Sequence, residues 1–213
     1  MKLRKMEVLA IFLVIISFGA AFYFYNIMPD RLASHWNIQG QVNGYMSKFW
    51  GLFLMPFISL GLAIMFFALP RIDPLKKNIE EFRKYFDWFI IIIIFFLMYI
   101  YMLTILWNLN YRFNMGQMLT PALAGLFFYS GILIEKAKMN WFIGIKTPWT
   151  LSSKTVWEKT HYLGGKLFKI SAIICLVGLA FPRYAFYFVL APIILSSIYI
   201  IYYSYAEFEK EKK

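Results

Sequence analysis

The chain has 213 residues, of which 61% are hydrophobic, 21% aromatic and only 15% charged, and its formal net charge is +11. So few charged side chains cannot cover the surface of a soluble globular protein of this length. The apolar residues instead fall into separate runs, each close to the roughly 20 residues that a helix needs to cross a bilayer. Open sheets are excluded there, because lipid cannot satisfy their backbone hydrogen bonds. We therefore expect an all-α membrane protein.

Six apolar runs follow one another along the chain. The first, residues 8–27, is longer than the apolar part of a typical signal peptide and is followed by further runs, so we interpret it as a retained helix. The others are 49–69, 88–107, 118–134, 163–181 and 184–205. Together they predict a polytopic helical bundle with six transmembrane helices.

We expect one membrane domain, 1–213, with three parts. Residues 1–70 form an N-terminal helix pair with a patterned loop, residues 86–135 form a central helix pair, and residues 136–205 form a C-terminal region. The lipid bilayer is the first predicted partner, and the predicted location is the cell membrane.

The 22 lysines and arginines are distributed unevenly along the chain. Eighteen lie at the N-terminus, in 70–86, in 135–169 and in the tail, whereas the other three loops hold only four. Because these two groups of segments alternate, the positive-inside rule predicts that both termini are cytoplasmic and that loop 28–48 is external. The basic charge is then explained by topology and lipid contact, and we expect no direct nucleic-acid binding.

The external loop 28–48 is patterned rather than featureless. Gln39-Gly40 and Asn43-Gly44 are both turn signals, and Asn-Gly favours a hairpin turn. We expect a compact folded cap whose apolar residues, Leu32 among them, lie on the membrane surface.

Two histidines are the only candidates for metal binding or acid–base chemistry. Asp30, His35 and Asn37 of the external loop could in principle bind a metal or act as acid and base. His161 is predicted on the other side of the membrane, so a site with two histidines is not available. We predict no catalytic residue, no metal and no cofactor.

The longest connection, 140–165, contains three of the seven tryptophans. The Thr147-Pro148 bond should break any helix that begins before it. Ser152 or Ser153 can cap a short cytoplasmic helix near 152–162, which should lie in the membrane interface. We expect Gly164-Gly165 to end this helix before the fifth span.

Trp157 and His161 are four residues apart and share a face of that helix. One interpretation is an aromatic anchor at headgroup depth beside a hydrogen-bonded histidine. The other is a docking surface for a cytoplasmic partner. No nucleophile, base and orienting group occur together in this segment, so we do not expect an enzyme.

Two alternatives stay open. The spans hold no Asp, Glu, Arg or His at mid-depth, which argues against an ion-coupled transporter. A transporter or flippase for apolar or amphipathic substrates would not need such residues, and Pro56 and Pro192 could kink its helices. A membrane enzyme using His35 or His161 is the second alternative.

Two motifs resemble known families. The run Asn-x-x-x-Gly-Ile-Lys-Thr-Pro-Trp-Thr-Leu from Asn140, followed by Trp-x-x-Thr-His-x-x-Gly-Gly from Trp157, resembles the signature of the SdpI family of integral membrane proteins. The loop motif from Pro29 resembles an uncharacterised domain that often precedes it. Lys146 stands where that family usually has arginine, and Asn43 where the loop often has aspartate.

The resemblance implies immunity to a secreted toxic peptide outside the cell, and signalling through a transcriptional repressor that is held at the membrane. Transferred residue by residue, it implies two sets of site residues. The external ligand-binding set is Pro29, His35, Asn37, Gly40, Asn43, Gly44 and Lys48. The cytoplasmic partner-docking set is Asn140, Gly144, Lys146, Thr147, Pro148, Trp149, Trp157, Thr160, His161 and Gly165.

Overall fold

The computed structural model of the chain describes residues 3–212. Within them lie seven α-helices and one two-stranded antiparallel sheet. In chain order the elements are α1 Lys5–Tyr25, β1 Arg31–Trp36, β2 Val42–Ser47, α2 Lys48–Ile72, α3 Lys76–Asn108, α4 Met115–Lys136, α5 Pro148–Ser152, α6 Lys154–Val177 and α7 Ala185–Glu211. Two short 3-10 turns, Gly178–Ala180 and Pro182–Tyr184, join α6 to α7.

Six of these helices, all except α5, are long and apolar enough to cross a membrane. Their outward side chains stay uncovered by protein; Ile15, Ile64 and Leu195 are 62%, 61% and 66% exposed. Contiguous apolar surface of this kind needs lipid around it. The prediction of an all-α, six-span, multi-pass membrane protein is confirmed.

The chain forms two compact units. One comprises Met1–Phe67 and Ile90–Leu119, and the other comprises Ala68–Phe89 and Thr120–Lys213. Helices α2, α3 and α4 each run through both units. The β-hairpin belongs to the first unit, whereas α5, α6 and α7 belong to the second.

The core of the first unit fixes the hairpin to the helices. Leu32 of β1 is fully buried among side chains of α1, α2 and α3. The cluster consists of Ala21, Met28, Leu32, Leu52, Phe53, Tyr101 and Ile105. Helix α2 passes so close that a Cβ added at Gly51 would lie 2.9 Å from Leu32 Cβ. The expectation that Leu32 lies on the membrane surface was therefore wrong.

The hairpin turns at one of its two glycine signals. Gly40 has φ +77°, and Asn37 Oδ1 accepts hydrogen bonds from the backbone N–H groups of Gln39 (3.0 Å) and Gln41 (2.9 Å). An asparagine that bonds to the backbone two residues ahead stabilises such a turn. The second signal, Asn43-Gly44, lies inside β2, so the expectation of a turn there was wrong.

Helix α6 of the second unit differs from the prediction. Its N-cap is Ser153, whose side chain accepts from the Val156 N–H at 3.2 Å, as the sequence predicted. It then continues without a break through Gly164 and Gly165, so the separate interfacial helix near 152–162 is the first part of the fifth span. The expectation that the glycines end it was wrong. They serve packing instead, because a Cβ at Gly165 would lie 2.6 Å from the Gly131 carbonyl oxygen of α4.

Candidate functional site

Asn140 organises the turn that follows α4. Its side chain is fully buried, and Oδ1 accepts from the backbone N–H groups of Phe142 (2.9 Å) and Ile143 (2.6 Å). The Nδ2 group donates to the carbonyls of Lys138 (2.8 Å) and Ile143 (2.7 Å). Because the amide serves as donor and acceptor at once, a residue lacking either function would leave buried backbone groups unpaired.

Residues between α2 and α3 and at the start of α3 also form hydrogen bonds to this turn. Asp73, which is 2% exposed, accepts from the Trp141 N–H at 2.9 Å and from the Leu75 N–H at 2.6 Å. Asn78 donates to the Met139 carbonyl at 2.7 Å. Sequence reasoning missed both residues. Asp73 before a proline is a signal for a helix start, but it does not disclose a partner 68 positions away.

His161 joins this turn to helix α6. Its Nε2 accepts from the Ile145 N–H at 2.9 Å, and its Nδ1 lies 2.8 Å from the Trp157 carbonyl oxygen. A nitrogen that accepts carries no proton, so the ring is neutral and Nδ1–H donates to Trp157. Gly144, with φ +118°, lets the backbone pass over the ring, since an added Cβ would overlap His161 Nε2.

Trp157 completes this cluster from the same helix. Its ring stacks on the imidazole with centroids 3.8 Å apart and an interplanar angle of 17°, and its Nε1 donates to the Ala137 carbonyl at 2.8 Å. Trp157 and His161 are each only 1% exposed. The interpretation of Trp157 as an anchor at headgroup depth was therefore wrong, while the hydrogen-bonded histidine is confirmed.

Thr147 and Thr150 fix the start of α5. Thr147 is the N-cap, and its Oγ1 accepts from the Thr150 N–H at 3.1 Å while Pro148 occupies the first turn. In return, the Thr150 hydroxyl accepts from the Thr147 N–H at 2.9 Å and donates to the Ile145 carbonyl at 2.9 Å. Thr147 Oγ1 also donates to Ser204 Oγ of α7 at 3.1 Å. Pro148 thus begins a helix here; no helix reaches Thr147 from the preceding residues, since α4 ends at Lys136.

The outward side of the segment carries different side chains. Trp141 and Phe142 are 53% and 37% exposed, and the exposed Lys146 donates from Nζ to the Phe142 carbonyl at 2.8 Å. Trp149 lies with its ring centroid 5.2 Å from that of Tyr205 on α7. We call Trp141, Phe142 and Lys146 the exposed turn.

The ends of α6 and α7 are joined by a buried carboxylate. Glu207 of α7 pairs with Lys159 at 2.7 Å and with Lys210 at 2.6 Å, and its side chain is 6% exposed. The adjacent Thr160 is fully buried, and its hydroxyl has no hydrogen-bond partner in the part of the chain that the structure describes.

The residues predicted to form an external ligand-binding set lie on the hairpin and at its ends. His35 Nδ1 lies 2.5 Å from Asn43 Oδ1 across the two strands, where Gly44 is needed because a Cβ there would lie 2.8 Å from His35 Cβ. After Pro29, Asp30 pairs with Lys48 at 3.0 Å. Within residues 3–212 there is no group of three His, Cys, Asp or Glu side chains that could hold a metal ion.

Asn108, the last residue of α3, bonds to the first strand of the hairpin. Its Oδ1 accepts from the Ala33 N–H at 2.8 Å, and its Nδ2 donates to the Ala33 carbonyl at 3.0 Å and to the Thr104 carbonyl at 2.9 Å. The side-chain amide thus bonds to the backbone N–H and C=O of Ala33 on the outer edge of β1, as a neighbouring strand would.

Comparison with known proteins identifies both patterned regions. Residues 12–60 match a domain of unknown function, DUF1648, and residues 136–204 match the SdpI/YfhL protein family. The chain is 25% identical to the immunity protein SdpI of Bacillus subtilis (strain 168) over 210 residues, which cover 98% of this chain and 97% of that protein. No solved structure matches the chain. The resemblance of the two motifs to known families is therefore confirmed: residues 136–204 are similar to the SdpI/YfhL family, and residues 12–60 are similar to the DUF1648 domain.

Proposed function

We propose that this chain is an integral membrane immunity protein that protects the cell against a membrane-active toxic peptide. The observation that carries the proposal is the match to a protein named as an immunity protein over nearly the whole length of both chains. The six spans agree with a role at the membrane. We propose a non-enzymatic role, as the name of that relative suggests.

In this proposal the hairpin is external and receives the peptide. The distribution of lysine and arginine supports that placement. His35 and Asn43 are exposed, and Leu32 fixes the strand that carries His35 to the helices. A polar surface on a fixed support is suited to recognising a ligand, because little order is lost when it binds.

The finer part of the proposal is that segment 140–165 is cytoplasmic and docks a regulator, of the transcriptional-repressor kind. Within this segment, the exposed turn provides surface for a partner, because it presents two aromatic side chains beside one cation. Trp157 and His161 are inside, so they would act by holding that turn in place. Lys146 presents a single ammonium group, whereas arginine would offer a bidentate guanidinium. Its contact with an acidic group of the partner would therefore be less restricted in geometry.

Protection of living cells tests the main proposal. The chain is expressed in a sensitive bacterium, and its tolerance of a panel of purified, membrane-permeabilising bacterial peptides is compared with that of cells carrying an empty vector. For at least one peptide, we expect the minimal inhibitory concentration to rise several-fold. Equal sensitivity to every peptide, with the chain present in the membrane fraction, would rule out this function.

The docking part has its own test. Cells that express the chain are lysed in mild detergent, and proteins that co-purify with it are compared between the unmodified chain and the double variant Trp141→Ala, Phe142→Ala. A DNA-binding protein should co-purify with the first and be lost with the second. The control is Tyr162→Ala, which alters an aromatic residue of α6 that is 59% exposed. Equal recovery from the exposed-turn variant and the control would contradict the proposal.

A further inference from the structure

The two outer edges of the β-hairpin are not equivalent. The edge of β1 is occupied at Ala33, whose N–H and C=O both bond to the Asn108 amide. Within residues 3–212, no group makes the corresponding bonds to the outer edge of β2. One side of the sheet is therefore closed by a side chain, and the other is open.

The register of the ladder decides which groups of β2 face that open side. The Lys48 N–H donates to the Asp30 carbonyl at 2.8 Å, so these two residues form a hydrogen-bonded pair. Such pairs alternate with pairs whose backbone groups point outward, and Ala33 and Tyr45, three pairs along, are one of the latter. The bonds from Ala33 to Asn108 agree with this assignment. The Tyr45 N–H and C=O consequently point away from β1.

The open edge lacks two of the devices that protect sheet edges against strand addition. Val42–Ser47 contains neither a charged residue nor proline, and the irregularities of the ladder lie beyond the Ala33–Tyr45 pair, on the side of the turn. Tyr45 is 57% exposed and Met46 is 36% exposed. The backbone donor and acceptor of the edge are thus flanked by apolar surface.

A third strand would complete the sheet. Two strands alone are marginally stable in water, and extended peptides bind commonly by adding a strand to an exposed edge. Main-chain bonds then supply affinity, and alternate side chains supply specificity. The Arg31 guanidinium lies 5.9 Å from the centre of the Tyr45 ring, so positive charge is already present beside the edge.

We propose that the outer edge of β2 binds an extended, apolar segment of the toxic peptide as a third strand, with Tyr45 N–H and C=O as its central pair of bonds. The segment is uncharged or acidic, because Arg31 would repel a cationic one. The inference rests on the proposed function, since it takes the peptide as the occupant. It adds where the peptide binds and in which conformation.

Proline substitution separates this mode of binding from others. Because the Tyr45 N–H faces outward, Tyr45→Pro removes the donor to the peptide without removing a bond to β1, and proline is tolerated at such edge positions. Tyr45→Val is the matched control, since it also loses the ring but keeps the N–H. Met46→Pro removes an N–H that faces β1, so it shows how a damaged hairpin behaves.

The probe is a phage-displayed library of random twelve-residue peptides, selected on the purified full-length chain in detergent. Recovered peptides should bind Tyr45→Pro about tenfold more weakly than Tyr45→Val, because both variants lack the ring but only the proline variant lacks the N–H donor. N-methylation of alternate peptide residues should abolish binding in one register and leave it intact in the other. Thermal unfolding of Tyr45→Pro must match that of Tyr45→Val rather than that of Met46→Pro; unfolding like Met46→Pro would refute the outward assignment of Tyr45.

Other outcomes would overturn the inference. One is that no peptide is recovered, and another is that Tyr45→Pro binds the recovered peptides as well as Tyr45→Val does. A third is a concentration-dependent dimer that Tyr45→Pro prevents from forming, which would show that the β2 edge binds a second copy of the chain. In cells, Tyr45→Pro should give less tolerance than Tyr45→Val. Full tolerance in Tyr45→Pro would refute binding at the β2 edge but not the immunity function. If the unmodified chain gave no tolerance, the immunity function would be refuted, and the peptide measurements alone would test binding at the edge.

Discussion

His161 joins the turn that precedes α5 to helix α6. It is nearly fully buried, and it bonds at one nitrogen to Ile145 and at the other to Trp157. We expect His161→Ala to lower the free energy of unfolding by about 2–4 kcal/mol, because it leaves a backbone donor unpaired and a cavity against Trp157. His161→Gln should restore part of this loss, since its amide can both accept and donate. The measurement is denaturant unfolding in detergent micelles.

Lys146→Ala provides the comparison for His161. The Lys146 side chain is exposed, and surface substitutions usually change stability by less than about 0.5 kcal/mol. If His161→Ala unfolded at the same denaturant concentration as Lys146→Ala, the imidazole would not hold the turn, and its proposed positioning role would fail.

At the scale of single residues, the sequence indicated which residues are important better than it indicated which residues they contact. The spacing of Trp157 and His161 predicted a shared face, and the rings do stack. Asp73 could not be connected with Trp141, because helical periodicity reports only neighbours three or four positions apart. Leu32 was misplaced for a related reason: loop apolar residues are buried or exposed according to helices far away in sequence.

At the scale of helices, the Gly131–Gly165 contact sets how closely α4 and α6 approach. A Cβ at Gly165 would lie 2.6 Å from a backbone oxygen, which cannot rotate away. We expect Gly165→Ala to destabilise the protein even though alanine favours a helix over glycine by about 1 kcal/mol. Gly125→Ala, on α4, is the control, since nothing lies within 4 Å of its added Cβ, and it should be neutral or stabilising. Equal stability of the two variants in thermal unfolding would show that the helices can separate without cost.

The six spans were predictable because hydropathy over about 20 residues is a strong signal. The meaning of Gly164-Gly165 was not, because glycine ends helices in water but allows close helix packing in membranes. The hairpin shows the same ambiguity: two glycine turn signals were present, and Leu32 packing and strand register selected Asn37–Gly40.

At the scale of the whole molecule, each family match falls within one compact unit. Residues 12–60 lie in Met1–Phe67, and residues 136–204 lie in Thr120–Lys213. Polar side-chain networks in both units gather at connections, around the hairpin and around segment 140–165. In the proposed function, one unit contains the peptide site and the other contains the docking surface.

The orientation of the molecule is predicted from its charges and is open to a direct test. Five spans separate the hairpin from the C-terminus, so a reporter inserted at Gln41 and one fused after Lys213 must lie on opposite sides. Because eighteen of the 22 basic residues lie in the segments predicted on one side, we expect the Gln41 reporter outside and the C-terminal reporter in the cytoplasm. Alkaline phosphatase and green fluorescent protein fusions, active outside and inside respectively, give the measurement. A Gln41 phosphatase that stays inactive, beside a phosphatase after Lys213 that is active, would invert the topology and place the proposed peptide site in the cytoplasm.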